Sequence, residues 1–202
     1  MSVYKPKNEI PTIDCEMVTV EYVVTPASGN DPAVTKEIGF TTANSIAVEV
    51  QTETQDAVKL IIKGKLKAQK PEHVTVTGHK ITLTDNVFNP ELVEILQGGT
   101  VTYGTGADAN KVTGYTPPVV GSDDKGKEFV LNAYSAQYNA AGQIVNYEKI
   151  SYPSCHGIPV AFGAVDGEFR APEYEINSLP DTGVAPYSIT YVNALPTLTD
   201  PV

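Results

Sequence analysis

At 202 residues, with 41% hydrophobic and 19% charged side chains, the chain has the length of one ordinary domain and enough apolar content to fill a core, which argues against a charge-rich disordered tail. Fourteen Lys and Arg against 24 Asp and Glu leave a formal charge of −10, and Arg170 is the sole arginine, so a basic domain gripping nucleic acid is not expected. The two cysteines, Cys15 and Cys155, make neither a disulfide framework nor a zinc spacing, no apolar run approaches the ~18 residues of a membrane span, and residues 1–14 lack the apolar segment of an export signal.

Residues 1–14 read as an arm, followed by a strand over 16–24. Residues 25–45 form a long loop with scattered apolar anchors at Val34, Ile38 and Phe40. In 46–53, Ile46, Val48 and Val50 alternate with Glu49, Gln51 and Glu53, the pattern of a strand with one dry and one wet face. Residues 59–68 repeat the alternation, with Leu60, Ile62 and Leu66 facing in and Lys59, Lys63, Lys65 and Lys67 facing out. The short link predicts an antiparallel pair in which these lysines meet Glu49 and Glu53. Binding of a polyanion is the alternative use of the lysine row.

A strand follows over 74–84, and then the one helical signal, within 86–99. Asn89 caps it, Pro90 takes the first helical position and Glu91 the first turn; Leu92, Ile95 and Leu96 make one stripe; Gly98 and Gly99 stop it. A short helix of about 89–97 must lay that stripe on a sheet, and the outer face of the sheet is the expected place. Residues 104–126 read as a second long loop. Strands are expected at 127–138, 144–152, 159–165, 173–177 and 187–192, with a hairpin turn at 139–142, and 195–202 closes the chain as an arm. The fold class is therefore mainly β, one domain over 1–202, a sandwich or barrel with one packed helix.

No catalytic or ligand-holding pattern emerges. Cys155 and His156 are neighbours and in a strand point to opposite faces; His73 and His79 lack a third ligand at a telling spacing; Gly104 and Gly106 precede no helix. No enzyme activity, cofactor or metal is expected. Leu179-Pro180-Asp181-Thr182-Gly183 matches the LPxTG pattern of a sortase sorting signal, but the apolar segment and basic tail of that package do not follow it. A turn between strands is the preferred reading, and a β-sandwich adhesin or cell-surface binding module is the alternative function.

Residues 78–100 and 167–192, with 129–162 between them, resemble the major tail proteins, or tail tube proteins, of long-tailed bacteriophages: a strand followed by the single helix, then a closing strand pair. The resemblance covers roughly residues 70–195. It implies a virion protein made in the host bacterial cytoplasm, assembling as hexameric rings stacked into a tube through which the DNA genome passes without specific binding. It also implies tape measure and tail terminator or initiator proteins as partners, and β-edges that neighbouring copies complete. On that reading Glu49, Glu53, Glu173 and Glu175 line an acidic lumen, and the loop bearing Val34, Ile38 and Phe40 reaches the next ring, with 104–126 as the competing loop. The lysine row is the departure: were it opposite Glu49 and Glu53, the wall there would be mixed in charge.

Overall fold

The computed structural model describes residues 10–25, 33–163, 166–167 and 169–199. Within them the chain is mainly β, with one short helix. The strands are β1 (Thr12–Thr25), β2 (Val34–Phe40), β3 (Ala43–Gln55), β4 (Val58–Ile62), β5 (Lys65–Lys70), β6 (His73–Asp85), β7 (Thr100–Tyr103), β8 (Val112–Thr116), β9 (Phe129–Tyr138), β10 (Ile144–Gly157), β11 (Glu173–Ser178) and β12 (Ser188–Val192); the helix α1 is Pro90–Gln97.

One antiparallel sheet runs in the order β2-β1-β9-β10-β11-β6-β3. β12 also pairs with β10, along residues 147–151, while β11 takes 155–157. The strands at the two ends of this order, β2 and β3, are consecutive in the chain and joined only by Thr41 and Thr42. A two-residue connection between opposite ends of a sheet requires the sheet to curl until its ends meet, so the order describes a rolled sheet around one interior. That interior holds Val18, Val20, Phe40, Ile81, Leu83, Phe129, Leu131, Tyr174 and Ile176, none more than 5% exposed.

The helix follows its sequence signals. Asn89 Oδ1 accepts from the backbone N–H groups of Glu91 (3.0 Å) and Leu92 (3.1 Å), satisfying two of the donors a helix start leaves unpaired. The Asn89 N–H donates to the Tyr174 hydroxyl at 3.2 Å, tying the cap to β11. At the other end Gly98 adopts φ 82°, a conformation glycine holds without Cβ strain. Leu92, Val93, Ile95 and Leu96 all join the interior. The helix thus closes the core side of the rolled sheet, which corrects the expectation that it lies on the outer face. The approach is close. A Cβ on Gly157 would stand 2.5 Å from the Leu96 Cα, so β10 and the helix meet backbone to backbone there.

Several sequence expectations change. Residues 25–45 are not one loop, since 34–40 form β2 on β1; residues 26–32 lie outside the described residues. Residues 104–126 contain β8, paired with β7, and a 3-10 turn at Gly106–Asp108, leaving only the second part irregular. The apolar run expected as a strand at 159–165 has no strand in its described part, 159–163; Val160 there packs on the core, and its N–H donates to Gln97 Oε1 at 2.8 Å. Of the arms, residues 1–9 and 200–202 lie outside the described residues, 12–14 already belong to β1, and the tail returns to the sheet. A Cβ on Gly39 would meet Leu198 Cδ2 at 2.5 Å and Met17 Cε at 2.7 Å, so the tail packs over the Met17–Gly39 end of the outer face of β1 and β2 and leaves Val23 and Glu37 exposed.

Candidate functional site

The largest departure concerns the partner of β3. It pairs with β6, from Ala43 opposite Asp85 out to Gln55 opposite His73, and not with the lysine-bearing segment. Residues 59–68 are instead split between β4 and β5, a separate hairpin turning at Lys63 (φ 50°) and Gly64 (φ 75°). Two consecutive left-handed residues make the tight turn of a two-residue hairpin, and glycine takes the second place without strain. The lysine row therefore does not pair with Glu49 and Glu53, which corrects the antiparallel pairing expected from the sequence.

The β3–β6 ribbon has two faces of different chemistry. On the core side, Ile46 opposes Leu83, Val48 opposes Ile81 and Val50 opposes His79; past a bulge at Thr77, Thr52 opposes Val76 and Thr54 opposes Val74. Ile81 and Leu83 are in the interior, but further out the same face lies open, with Val48 40%, Val50 52%, Val74 53% and Val76 46% exposed. β3 is also a terminal strand, so among the described residues its far backbone edge is unpaired in the sheet. An apolar face beside an open edge has the chemistry to pair with another chain.

The opposite face is polar and carries the predicted carboxylates. Glu49 stands opposite Lys80; on the other side of β6, Glu175 opposes Thr82 and Glu173 opposes Thr84, while Asn177 opposes Lys80 and His156 opposes Asn177. Alternation along each strand places Glu49, Glu173 and Glu175 on one continuous face. Lys80 Nζ reaches Glu175 Oε2 at 3.2 Å, a partly exposed pair of modest worth, ~0–1 kcal/mol. Three carboxylates against one ammonium leave this patch acidic. Glu53 continues the same alternation beyond the bulge, opposite Thr75, on the projecting part of the ribbon. Lys80 was missed as a site residue; its place in the alternating run 78–84 signals the outward face, but only the pairing shows which carboxylates it meets.

The predicted inter-ring anchors divide. Val34 is 55% exposed, but Phe40 is 5% exposed within the interior and Ile38 packs against it. Phe40 and Ile38 therefore hold β2 to its own core, and only Val34 is open to a partner. In the competing loop, Val119 and Val120 stand 80% and 102% exposed.

Cys155 is buried and its Sγ donates to the Tyr152 carbonyl at 3.3 Å, while His156 lies on the other face. Burial pushes the Cys155 thiol up to about 12, so no thiolate stands ready. Among the described residues no group of three or more His, Cys, Asp and Glu could hold a metal, and no helix is long and apolar enough to cross a membrane. Residues 179–183 form an exposed turn between β11 and β12, in which the Val184 N–H donates to the Asp181 carbonyl at 3.0 Å.

At the root of the ribbon, His79 is 3% exposed, between Tyr152 and Tyr187 with ring centroids 5.4 and 5.6 Å away, and its Nδ1 has no hydrogen-bond partner among the described residues. Desolvation lowers its affinity for a proton. Above the ordinary value near 6.5, folded and unfolded chains both carry neutral imidazole and the group is silent. Below it the unfolded chain binds the proton first, so stability falls with falling pH until the folded imidazole also titrates. His79→Phe is expected to keep the ring contacts and to lose less thermal stability than the wild type between pH 7 and about 5.5. Parallel melting curves for the two chains across that range would contradict this.

No protein-family model and no curated protein matches the chain. Among solved structures, a chain of the anti-feeding prophage (AFP) baseplate, determined by cryo-EM with 6-fold symmetrisation, is similar over 92% of this chain and 98% of that one. The identity is 8% and the TM-score 0.36, too slight a likeness to transfer a role.

Proposed function

We propose that the chain is a structural, non-catalytic virion subunit that self-assembles, its copies closing into rings that stack as a phage tail tube. The observation that carries the reading is the β3–β6 ribbon: four half-exposed valines beside an unpaired strand edge, with carboxylates on the reverse face. A second copy that pairs along β3 and covers Val48, Val50, Val74 and Val76 removes an aggregation-prone edge and a wet apolar face together. The six-membered ring, the tube and the partners (tape measure and terminator or initiator proteins) come from the family resemblance. So does synthesis in the bacterial host followed by incorporation into the virion tail.

In that arrangement the face bearing Glu49, Glu173 and Glu175, extended by Glu53, turns to the bore. Carboxylates repel the phosphates of a passing duplex over the ~8 Å screening length of physiological salt, so the genome slides without adhering. Lys80 neutralises part of this face.

Negative-stain microscopy of the purified protein tests the reading directly. Tubes or stacked rings are the expected result. A stable monomer at every concentration and salt condition, binding cell-surface sugars, would favour a surface-binding module instead.

A further inference from the structure

We infer that the β4–β5 hairpin is a cationic arm that docks on the acidic outer face of the β1–β2 pair of a second copy; the inference rests on the self-assembly reading above. Residues 58–70 hold Lys59, Lys63, Lys65, Lys67 and Lys70 and no Asp or Glu. This hairpin therefore carries +5, and with −10 for the whole chain the remainder carries −10 − 5 = −15. Every residue of β4 and β5 is exposed. None of the five lysines pairs with a carboxylate among the described residues, where the ion pairs involve Lys80, Lys111 and Lys127. The hairpin is also apolar: Val58, Leu60, Ile61 and Leu66 are 52–65% exposed. A basic and apolar arm with no cover among the described residues calls for an acidic and apolar surface.

The β1–β2 pair supplies that surface. Glu21 and Glu37 stand directly opposite each other across the two strands, an arrangement of like charges that costs stability unless a cation joins them. Neither has a cationic partner among the described residues. On the same face Val23, opposite Thr35, is 47% exposed, and β2 is a terminal strand of the sheet. Lys36, one residue from Glu37, belongs to the opposite face. Carboxylates beside an open valine complement ammonium groups beside open leucine and isoleucine. Because arm and receiving face are different parts of the chain, the contact is head-to-tail and propagates from copy to copy.

A charge-swap series tests this. Lys59→Glu, Lys65→Glu and Lys67→Glu together are expected to raise the concentration needed for assembly on the order of tenfold or more, since like charges then meet across the contact. Adding Glu21→Lys and Glu37→Lys to that chain is expected to restore assembly to within a few-fold of wild type. The wild-type contact should also weaken as salt rises. All the substituted side chains sit on exposed or half-exposed strand faces, and circular dichroism confirms that each variant is folded. Wild-type tubes alongside unaffected triple-variant tubes would overturn the contact alone. Loss without rescue would overturn the assignment of Glu21 and Glu37. A wild type that stays monomeric even at low salt would overturn the self-assembly reading and this contact with it. Lysine-dependent retention of wild-type monomer on duplex DNA, without assembly, would show that the arm serves a polyanion instead.

Discussion

Val50→Asp combined with Val76→Asp is expected to leave a folded chain that no longer self-associates. Both valines are about half exposed, 52% and 46%, on the projecting part of the ribbon, where a polar replacement alters stability by only about 0.5 kcal/mol. On the proposed contact the same positions lie under a neighbouring copy, and an uncompensated carboxylate buried there would cost roughly 3 kcal/mol or more. Each such cost weakens association about a hundredfold. Sedimentation velocity should therefore show a single slow species for the double variant under conditions where the wild type forms large particles, with thermal midpoints that agree. Val120→Asp is the control: Val120 is 102% exposed, off the ribbon, and should assemble as wild type. Tubes of normal abundance from the double variant would mean that the valine face is not the contact.

Leu92→Ala, by contrast, should damage the fold itself. Leu92 is fully buried on the helix, in the same interior as Ile81, Leu131 and Ile176. Truncation removes methyl groups from that interior and leaves a cavity that can relax only partly. The helix cannot settle inward freely, because its backbone is already held against β10 at Gly157 and its cap is tied to Tyr174. The expected loss is about 2–5 kcal/mol, read as a lower urea midpoint with an unchanged slope. Leu60→Ala on the hairpin removes the same atoms from a side chain 52% exposed and should move the midpoint by less than ~0.5 kcal/mol in the isolated chain. The contrast separates residues that hold the chain together from those the chain leaves exposed. Equal losses at the two positions would show that the hairpin is covered within its own chain.

These two experiments divide the apolar residues in a way that composition cannot. Leu92 and Leu60 are the same side chain, each within an apolar pattern of the right period for its element. Their fates differ because one pattern is closed over by the rolled sheet and the other projects beyond it. The same distinction governs the charges. Lys80 on the ribbon pairs with Glu175 of the neighbouring strand, whereas Glu21 and Glu37 oppose each other with no cation among the described residues.

Much of this was legible in the amino-acid order, wherever the deciding physics is local. Asn89-Pro90 and Gly98-Gly99 bracket the helix because capping and chain reversal are properties of a few adjacent residues. The alternation of Ile46, Val48 and Val50 with Glu49, Gln51 and Glu53 fixes which side chains share a face, because a pleated strand repeats every two residues. The mainly β class and the turn between β9 and β10 follow likewise. Tertiary structure alone decided the rest. Alternation assigns a residue to a face but is silent on the neighbouring strand, so β3 could be matched to 59–68 when its partner is β6. Lys63-Gly64 is a turn hidden inside an alternating run, and β2 is a strand hidden inside a polar stretch; each is settled by hydrogen bonds to a distant or reversed segment. Whether an apolar face is wet or dry depends on how far the sheet rolls, and that is set by the sum of all its pairings.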